Sequence, residues 1–174
     1  MKLEGKHVAY LVAPEFEDLE FWVPLMRLRE EGALVTIVGL EAKKEYIGKH
    51  GVPAITDISA DEALAQTYDA IVIPGGWAPD KLRRSRPVLE LVRRANEQGR
   101  VIAMICHAGW VGISAGIVKG HAATGSSAIK DDIINAGGTW RDEPAFRDGN
   151  LVWGRVVADI PNFCRELVKA LAGE

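Results

Sequence analysis

The sequence predicts an α/β fold with a mainly parallel central sheet and helices on both of its faces. Apolar runs of strand length alternate with longer segments of helical period, which is the pattern of parallel strands joined by crossover helices. No repeat, low-complexity tract or Pro/Ser-rich linker interrupts this alternation. A length of 174 residues with 48% hydrophobic and 26% charged composition suits one packed core. We therefore expect a single domain over residues 1–174.

Apolar runs predict the strands of this sheet. The four main strands are predicted at residues 7–13, 34–40, 70–76 and 101–105. We expect the last of them to be the most buried. Shorter strands are predicted at the sheet edge over 46–50, at 122–124, and in a hairpin of 139–146 and 150–156 about Asp148-Gly149.

Spacing and end signals predict the helices. The first covers residues 18–31 and carries these apolar side chains at helical spacing: Leu19, Trp22, Val23, Leu25, Met26 and Leu28. Ser59 and Glu62 form an S-x-x-E capping box for a short helix. Ser85 is the predicted N-cap of a helix that ends at Gly99. Further helices are predicted near His107, over 129–137 and at the C-terminus.

Charge and motif content exclude several classes of partner. The chain has 24 acidic and 21 basic residues and a net charge of −3. No run of like charge is long enough to follow a phosphate backbone, so we expect no nucleic-acid partner. No G-x-G-x-x-G or Walker A motif supports a nucleotide, and no C-x-x-C or H-x-x-x-H spacing supports a metal site. We expect the protein to act without a cofactor or metal ion.

Two segments bear on localisation. The start, MKLEGKHVAYLVA, has a short apolar stretch and no cleavage site behind it, so we predict no signal peptide and a cytoplasmic protein. Residues 101–118 form eighteen residues without a formal charge, which is the length of a membrane span. Three glycines and His107 interrupt this segment, and its β-branched beginning favours a buried strand followed by a buried helix. We expect no membrane partner.

The two cysteines, Cys106 and Cys164, are expected to remain thiols. Cys164 shares a helical stripe with Leu167 and Leu171, which indicates packing. Cys106 directly follows the strand 101–105 and precedes small residues at the start of a helix. Such a sharp turn can expose a nucleophile, and the helix N-terminus favours its thiolate. A buried core cysteine at a strand end is the alternative.

Groups that could assist a nucleophile follow the other main strands. Pro74-Gly75-Gly76 ends the third main strand, where paired glycines either bring N–H groups together at an oxyanion or form a simple turn. Glu15, Glu17 and Asp18 follow the first strand; one carboxyl could face the thiol while the others cap the helix. His107, next to the cysteine, could act as a general base. The carboxyl ends of parallel strands meet at one edge of the sheet.

Several short motifs follow one another in a fixed order along nearly the whole chain. They are Glu15-Phe16-Glu17-Asp18, Gly48-Lys49-His50-Gly51, Pro74-Gly75-Gly76 with Ala78-Pro79, Ile105-Cys106-His107, Ile113-Ser114-Ala115-Gly116 with Lys119-Gly120, and Asp131-Asp132 with Asn135-Ala136-Gly137. In order and spacing they resemble the PfpI-like intracellular proteases of the ThiJ/PfpI superfamily.

The resemblance implies a flavodoxin-like three-layer sandwich and a role for each site residue. Cys106 corresponds to the nucleophile, and Glu17 to a carboxyl that hydrogen-bonds its sulfur and is itself protonated. The Gly75-Gly76 turn and the His107 amide frame the oxyanion hole. The resemblance also implies a homo-oligomer, either a dimer or a dimer-based hexamer, in which Asp80 of a neighbouring subunit orients His107.

Three departures from the family pattern change the expected pocket. Trp77 replaces the usual basic residue, Ala108-Gly109-Trp110 replaces the usual Gly-Pro, and Val156-Val157 replaces a Lys-Pro or His-Pro pair. The pocket is therefore more aromatic and less basic, and we expect Trp77 and Trp110 to narrow its entrance.

The residues support three functions. The first is a stress-response hydrolase of the PfpI type, in which the Cys106 thiolate attacks a peptide carbonyl. The second is glyoxalase or deglycase chemistry on methylglyoxal or its protein adducts, which suits a small pocket. The third is a non-enzymatic redox sensor or chaperone in which Glu17 holds a Cys106 sulfinate.

Overall fold

A computed structural model describes residues 1–174 and has a seven-stranded sheet at its centre. The strands are β1 (His7–Leu11), β2 (Leu34–Gly39), β3 (Glu45–Ile47), β4 (Pro53–Ile55), β5 (Ile58–Ser59), β6 (Ala70–Ile73), β7 (Val101–Ile105), β8 (Ala122–Ala123), β9 (Thr139–Trp140), β10 (Ala145–Asp148) and β11 (Leu151–Gly154). The order across the main sheet is β10, β11, β7, β6, β1, β2, β5. Only the edge strand β10 runs antiparallel to its neighbour. The predicted mainly parallel sheet is therefore confirmed.

Helices cover both faces of this sheet. They are α1 (Asp18–Glu30), α2 (Ala60–Ala63), α3 (Ala78–Leu82), α4 (Arg86–Glu97), α5 (Gly109–Ala115), α6 (Lys130–Asn135) and α7 (Ile160–Ala172). Helix α7 packs against α1 and the strands β7, β10 and β11, while α4 packs against α2, α5 and the strands β6 and β7. Strands β6 and β7 are buried along almost their whole length because helices shield both faces. This arrangement is the predicted three-layer sandwich.

Most predicted elements form, with two differences. The capping box of Ser59 and Glu62 is present at the start of α2. The predicted short edge strand at 46–50 is reduced to β3, which pairs with β4 in an antiparallel hairpin separate from the main sheet. Residues 139–140 pair with β8 rather than with the predicted hairpin, which is limited to β10 and β11 about Gly149.

The uncharged segment 101–118 folds as expected from its glycines. Its first part is the buried strand β7, a short 3-10 turn follows, and α5 begins at Gly109. Gly112 packs against Met104, where a side chain would collide with the methionine sulfur. No helix in the protein is both long and apolar enough to span a bilayer.

Helix α1 buries only part of the apolar set that its spacing suggested, including Leu25 and Leu28. Its buried side chains include Glu20, Phe21, Leu25 and Leu28. The apolar side chains Leu19, Val23 and Met26 instead lie 50%, 42% and 59% exposed. The helix thus has two apolar stripes, and the one that carries Glu20 faces the sheet.

Candidate active site

The site lies where the carboxyl ends of β1, β6 and β7 meet at one edge of the sheet. Cys106 follows β7, Gly75-Gly76 follow β6, and Glu17 and Glu20 lie at the start of α1 after β1. All of these residues except Gly75 line one cavity of about 270 Å³, and Gly75 lies against Glu20 and Cys106. This convergence is the one expected for a parallel sheet.

Cys106 occupies a strained turn. Its φ of 61° is in the left-handed region, which a residue with a side chain seldom adopts. The strand ends at Ile105 and a 3-10 turn begins at Cys106, so the sulfur points away from the chain and into the cavity. The predicted sharp strand-to-helix turn is therefore present.

The carboxyl that faces the sulfur belongs to Glu20, not to Glu17. Glu20 lies against the Cys106 thiol and raises its pKa, and its Oε2 accepts the Gly75 N–H at 2.8 Å. Its Oε1 is buried and has no hydrogen-bond partner. The assignment of Glu17 is therefore wrong in this structure, because the Glu17 side chain serves another purpose.

Glu17 is the N-cap of α1. Its Oε2 accepts the backbone N–H of Glu20 at 2.9 Å, and its Oε1 lies 3.5 Å from His50 Nε2. Both Glu17 oxygens are thus engaged elsewhere, and it is Glu20 that acts on the pKa of Cys106. The three-residue spacing from Glu17 to Glu20, which is that of a capping box, is the sequence signal that could have separated the two roles.

Burial and neighbouring carboxylates govern the ionisation of this acid and thiol. Burial, followed by the charge of Glu17, raises the pKa of Glu20 from 4.5 to about 7. Burial, the charge of Glu20 and the hydrogen bond to Glu20 raise the pKa of Cys106 from 9.0 to about 12. The expected lowering of the Cys106 pKa by the helix N-terminus is thus wrong, because desolvation and a neighbouring carboxylate outweigh it.

Two backbone amides favour a negative charge at the sulfur. The N–H groups of His107 and Gly76 face the Cys106 sulfur and act against the rise in its pKa. Gly76 has φ +74°, and a side chain there would collide with the backbone at Phe16 and Glu17. Both amides are suitably placed for an oxyanion formed on an atom bound to sulfur.

Gly75 has a different role from Gly76. Its N–H already donates to Glu20, so it is not available to an oxyanion. A Cβ at Gly75 would collide with the Glu20 carboxyl and with Cys106 Cβ. Gly75 therefore allows the acid and the thiol to approach one another.

His107 lies beside the sulfur, with its Nδ1 3.3 Å from Cys106 Sγ. Burial, followed by the positive charge of Lys49, lowers the pKa of His107. The imidazole is therefore neutral near pH 7 and can accept a proton. Its Nε2 makes no hydrogen bond within the chain.

The two tryptophans that depart from the family pattern, Trp77 and Trp110, occupy different places. Trp77 lines the cavity and is 48% exposed, which agrees with the expected aromatic entrance. Trp110 does not line the cavity. It contacts the His107 ring from α5, so the expectation that it narrows the entrance is wrong.

Asp80 is not part of the site within one chain. It lies exposed on α3, and its carboxylate pairs with Arg84 at 2.9 Å. The remaining cavity walls are formed by Val156, Val157 and Ala158, and on another side by Lys49 and His50.

Asp18 positions the loop that carries Lys49 and His50. Its two oxygens accept the backbone N–H groups of His50 and Val52, each at 2.8 Å. Glu17, Asp18 and His50 offer ligand atoms within 4.8 Å of one another, as a metal site would need. In this structure, however, the Asp18 oxygens hold the loop and Glu17 caps α1, which accounts for the cluster without an ion.

Fold and site together define a three-layer α/β enzyme with a cysteine nucleophile. The DJ-1/PfpI family matches residues 6–170. The chain is 41% identical over 164 residues to Deglycase PH1704 of Pyrococcus horikoshii, covering 94% of this chain and 98% of that protein. It is 36% identical over 167 residues to YraA of Bacillus subtilis, named as a candidate cysteine protease, covering 96% and 99%.

Solved structures agree with these relatives. Drosophila melanogaster DJ-1beta superposes with a TM-score of 0.91 at 27% identity, covering 97% of this chain and 91% of that one. A two-domain Anabaena variabilis protein with DJ-1/ThiJ/PfpI-like and ferritin-like domains gives a TM-score of 0.92 at 38% identity, covering 97% of this chain and 48% of that one. The chain belongs to the DJ-1/PfpI family, and within it is a PfpI-type cysteine hydrolase.

Proposed function

We propose that the protein converts small α-oxoaldehydes such as methylglyoxal, free or as protein adducts, to hydroxy acids through covalent addition to Cys106. The observation that carries this proposal is the size of the cavity. A space of about 270 Å³ around the nucleophile suits a three-carbon aldehyde better than an extended peptide, which needs a longer groove. Relatives named deglycases support the same substrate class.

The first step is addition to the aldehyde carbon. The thiol proton passes to the Glu20 carboxylate or to His107 Nδ1 as the sulfur forms a bond to carbon. The aldehyde oxygen becomes an alkoxide, which the N–H groups of Gly76 and His107 stabilise until it takes up a proton to give a hemithioacetal.

The second stage converts this adduct into a hydroxy acid. A base removes the proton from the former aldehyde carbon, and a proton returns to the adjacent carbonyl carbon, which leaves a thioester on Cys106. Water then attacks the thioester and releases lactate, and the thiol regains its proton. Methylglyoxal and one water thus give one lactic acid without any external oxidant or reductant.

The assembly of the site is a second part of the proposal. We propose a homo-oligomer in which Asp80 of a neighbouring copy approaches His107. The free Nε2 of His107 and the exposed positions of Asp80 and Trp77 support this arrangement. A carboxylate at Nε2 would favour the tautomer whose Nδ1 accepts a proton from the thiol.

The substrate is tested by comparing two assays on one preparation. We expect methylglyoxal consumption with matching lactate formation, no cleavage of a fluorescent peptide panel, and loss of the first activity in Cys106→Ala. Peptide cleavage without lactate formation would contradict the aldehyde substrate and support the protease. No turnover in either assay, together with selective and stable oxidation of Cys106 by peroxide, would favour the redox sensor.

A further inference from the structure

We propose that Trp110 is a positioning residue that holds the imidazole of His107 against Cys106, and that Asp132 and Arg83 in turn hold Trp110. The inference rests on the proposed role of Cys106 as the nucleophile. It assigns a function to the aromatic substitution that distinguishes this chain from the usual family pattern at the start of α5.

His107 directly follows the strained Cys106. The side chains that contact its ring therefore help to set the direction of the imidazole. The centroid of the Trp110 ring lies 5.1 Å from that of His107, with the planes at 67°. This is the edge-to-face geometry that aromatic pairs prefer. The Trp77 ring lies farther away, at 5.7 Å, and is exposed. Trp110 is thus the better-packed contact of the imidazole.

Trp110 is itself anchored at two points. Its indole Nε1 donates a hydrogen bond to Asp132 Oδ2 on α6 at 2.9 Å. The guanidinium of Arg83 lies 5.5 Å from the centre of the indole ring, within the range of a cation–π contact. Arg83 is held in turn, because its Nε donates to Ser114 Oγ at 2.9 Å. The indole is therefore fixed against His107.

The same contact shapes the electrostatics of the imidazole. Burial is the main cause that lowers the pKa of His107, and the charge of Lys49 is the second. Cys106 is the other titratable group against the ring. Trp110 contributes to this burial while staying out of the cavity, so it acts on the reaction through His107 and not on the substrate.

The test compares Trp110→Leu, Trp110→Phe and Asp132→Ala with Trp140→Phe as the matched control, since Trp140 is partly buried but makes no aromatic contact with His107. The NMR titration of the His107 ring and the rate of Cys106 alkylation at pH 8 are measured on each folded variant. Neither readout uses an aldehyde, so both stay informative if the proposed substrate is wrong.

In Trp110→Leu we expect the pKa of His107 to move up towards its ordinary value and alkylation to slow by about two- to tenfold. Trp110→Phe keeps a ring but not the N–H, so its His107 pKa and its alkylation rate should lie between those of Trp110→Leu and the wild type. The same is expected of Asp132→Ala. If all three variants keep the wild-type pKa of His107 and the wild-type rate of Cys106 alkylation, the proposal is overturned. If Trp110→Leu does not fold, Trp110→Phe and Asp132→Ala decide the question by the same criteria.

Discussion

Glu20 and Cys106 lie side by side in a buried pocket, where burial raises the pKa of both groups and the charge of Glu20 further raises that of Cys106. Between the pKa of Glu20, at about 7, and that of Cys106, at about 12, the pair holds one proton. Transfer of that proton from sulfur to carboxyl gives a thiolate beside a neutral acid, without bringing two negative charges together. The Gly76 and His107 amides favour this form. We propose that the pair acts as a nucleophile with its own proton acceptor.

The raised pKa of Glu20 has a consequence for stability. Because the folded protein binds this proton more tightly than the unfolded chain does, the contribution of Glu20 is fully present below pH 4.5 and is lost as pH rises through about 7. We expect the unfolding free energy of the wild type to fall, relative to Glu20→Gln, by on the order of 2 kcal/mol between pH 5 and pH 8. Urea unfolding of both proteins at several pH values measures this difference in unfolding free energy.

Glu41→Gln is the matched control for this prediction, because Glu41 is an exposed glutamate in a loop. Its unfolding free energy should follow the wild type at each pH. Parallel curves for the wild type and Glu20→Gln would show that Glu20 does not take up a proton on folding in this range.

Apolar spacing alone does not decide which face of helix α1 packs against the core. Phe21, Leu25 and Leu28 face the core, but Leu19, Val23 and Met26 have the same spacing and lie outside. The outer stripe lies beside Val52, and Asp18, Leu19, Trp22, Met26 and Val52 form an apolar depression. An exposed apolar patch of this kind is typical of an interface, which supports the proposed self-association.

We therefore predict that Met26→Asp weakens self-association by about tenfold or more, because it places a charge in the apolar contact. The exposed position of Met26 means that the fold of the monomer should be unaffected. Light scattering after size exclusion over a concentration series measures the mass.

Ile134→Asp serves as the control for Met26→Asp. Ile134 is an exposed apolar residue on α6, 46% accessible, outside this patch. Its mass distribution should match that of the wild type. An unchanged distribution in Met26→Asp, or an equal loss in Ile134→Asp, would contradict the assignment of this surface.

Some elements of the fold and site could be predicted from the sequence and others could not. Strand ends could be predicted, because buried apolar runs followed by Gly75-Gly76 or Cys106 have few other placements in a parallel sheet. The choice between Glu17 and Glu20 depends on which stripe of α1 packs inward, and the capping-box spacing of the two residues is the one sequence signal that bears on it. The contact of Trp110 with His107 depends on side-chain directions across a tight turn, which spacing does not encode.

For the molecule as a whole, the proposed role of Asp80 depends on assembly. Within one chain Asp80 pairs with Arg84 and leaves His107 without a carboxylate partner. If a neighbouring copy supplies it, Cys106→Ala and Asp80→Ala should each be inactive alone. Mixed oligomers should regain about a quarter of the activity by random pairing in a dimer, because some sites then combine intact residues from two chains.

The mixing experiment needs dissociation and reassembly of the two variants, followed by an activity assay on the mixture. Mixing Cys106→Ala with itself through the same procedure is the control. Full activity of Asp80→Ala alone would show that His107 needs no partner carboxylate. Continued inactivity of properly mixed oligomers would show that both residues are required in the same chain.

The most direct test of the account is the pH profile of iodoacetamide alkylation at Cys106 in the wild type, Glu20→Gln and Glu17→Gln. The rate in the wild type should rise up to about pH 7, where the pair loses a proton, and then remain level. Glu20→Gln should lose this break and show a continuous rise with pH, while Glu17→Gln keeps the break. A break that disappears in Glu17→Gln but persists in Glu20→Gln, or that is absent from the wild type, would contradict the pairing of Cys106 with Glu20.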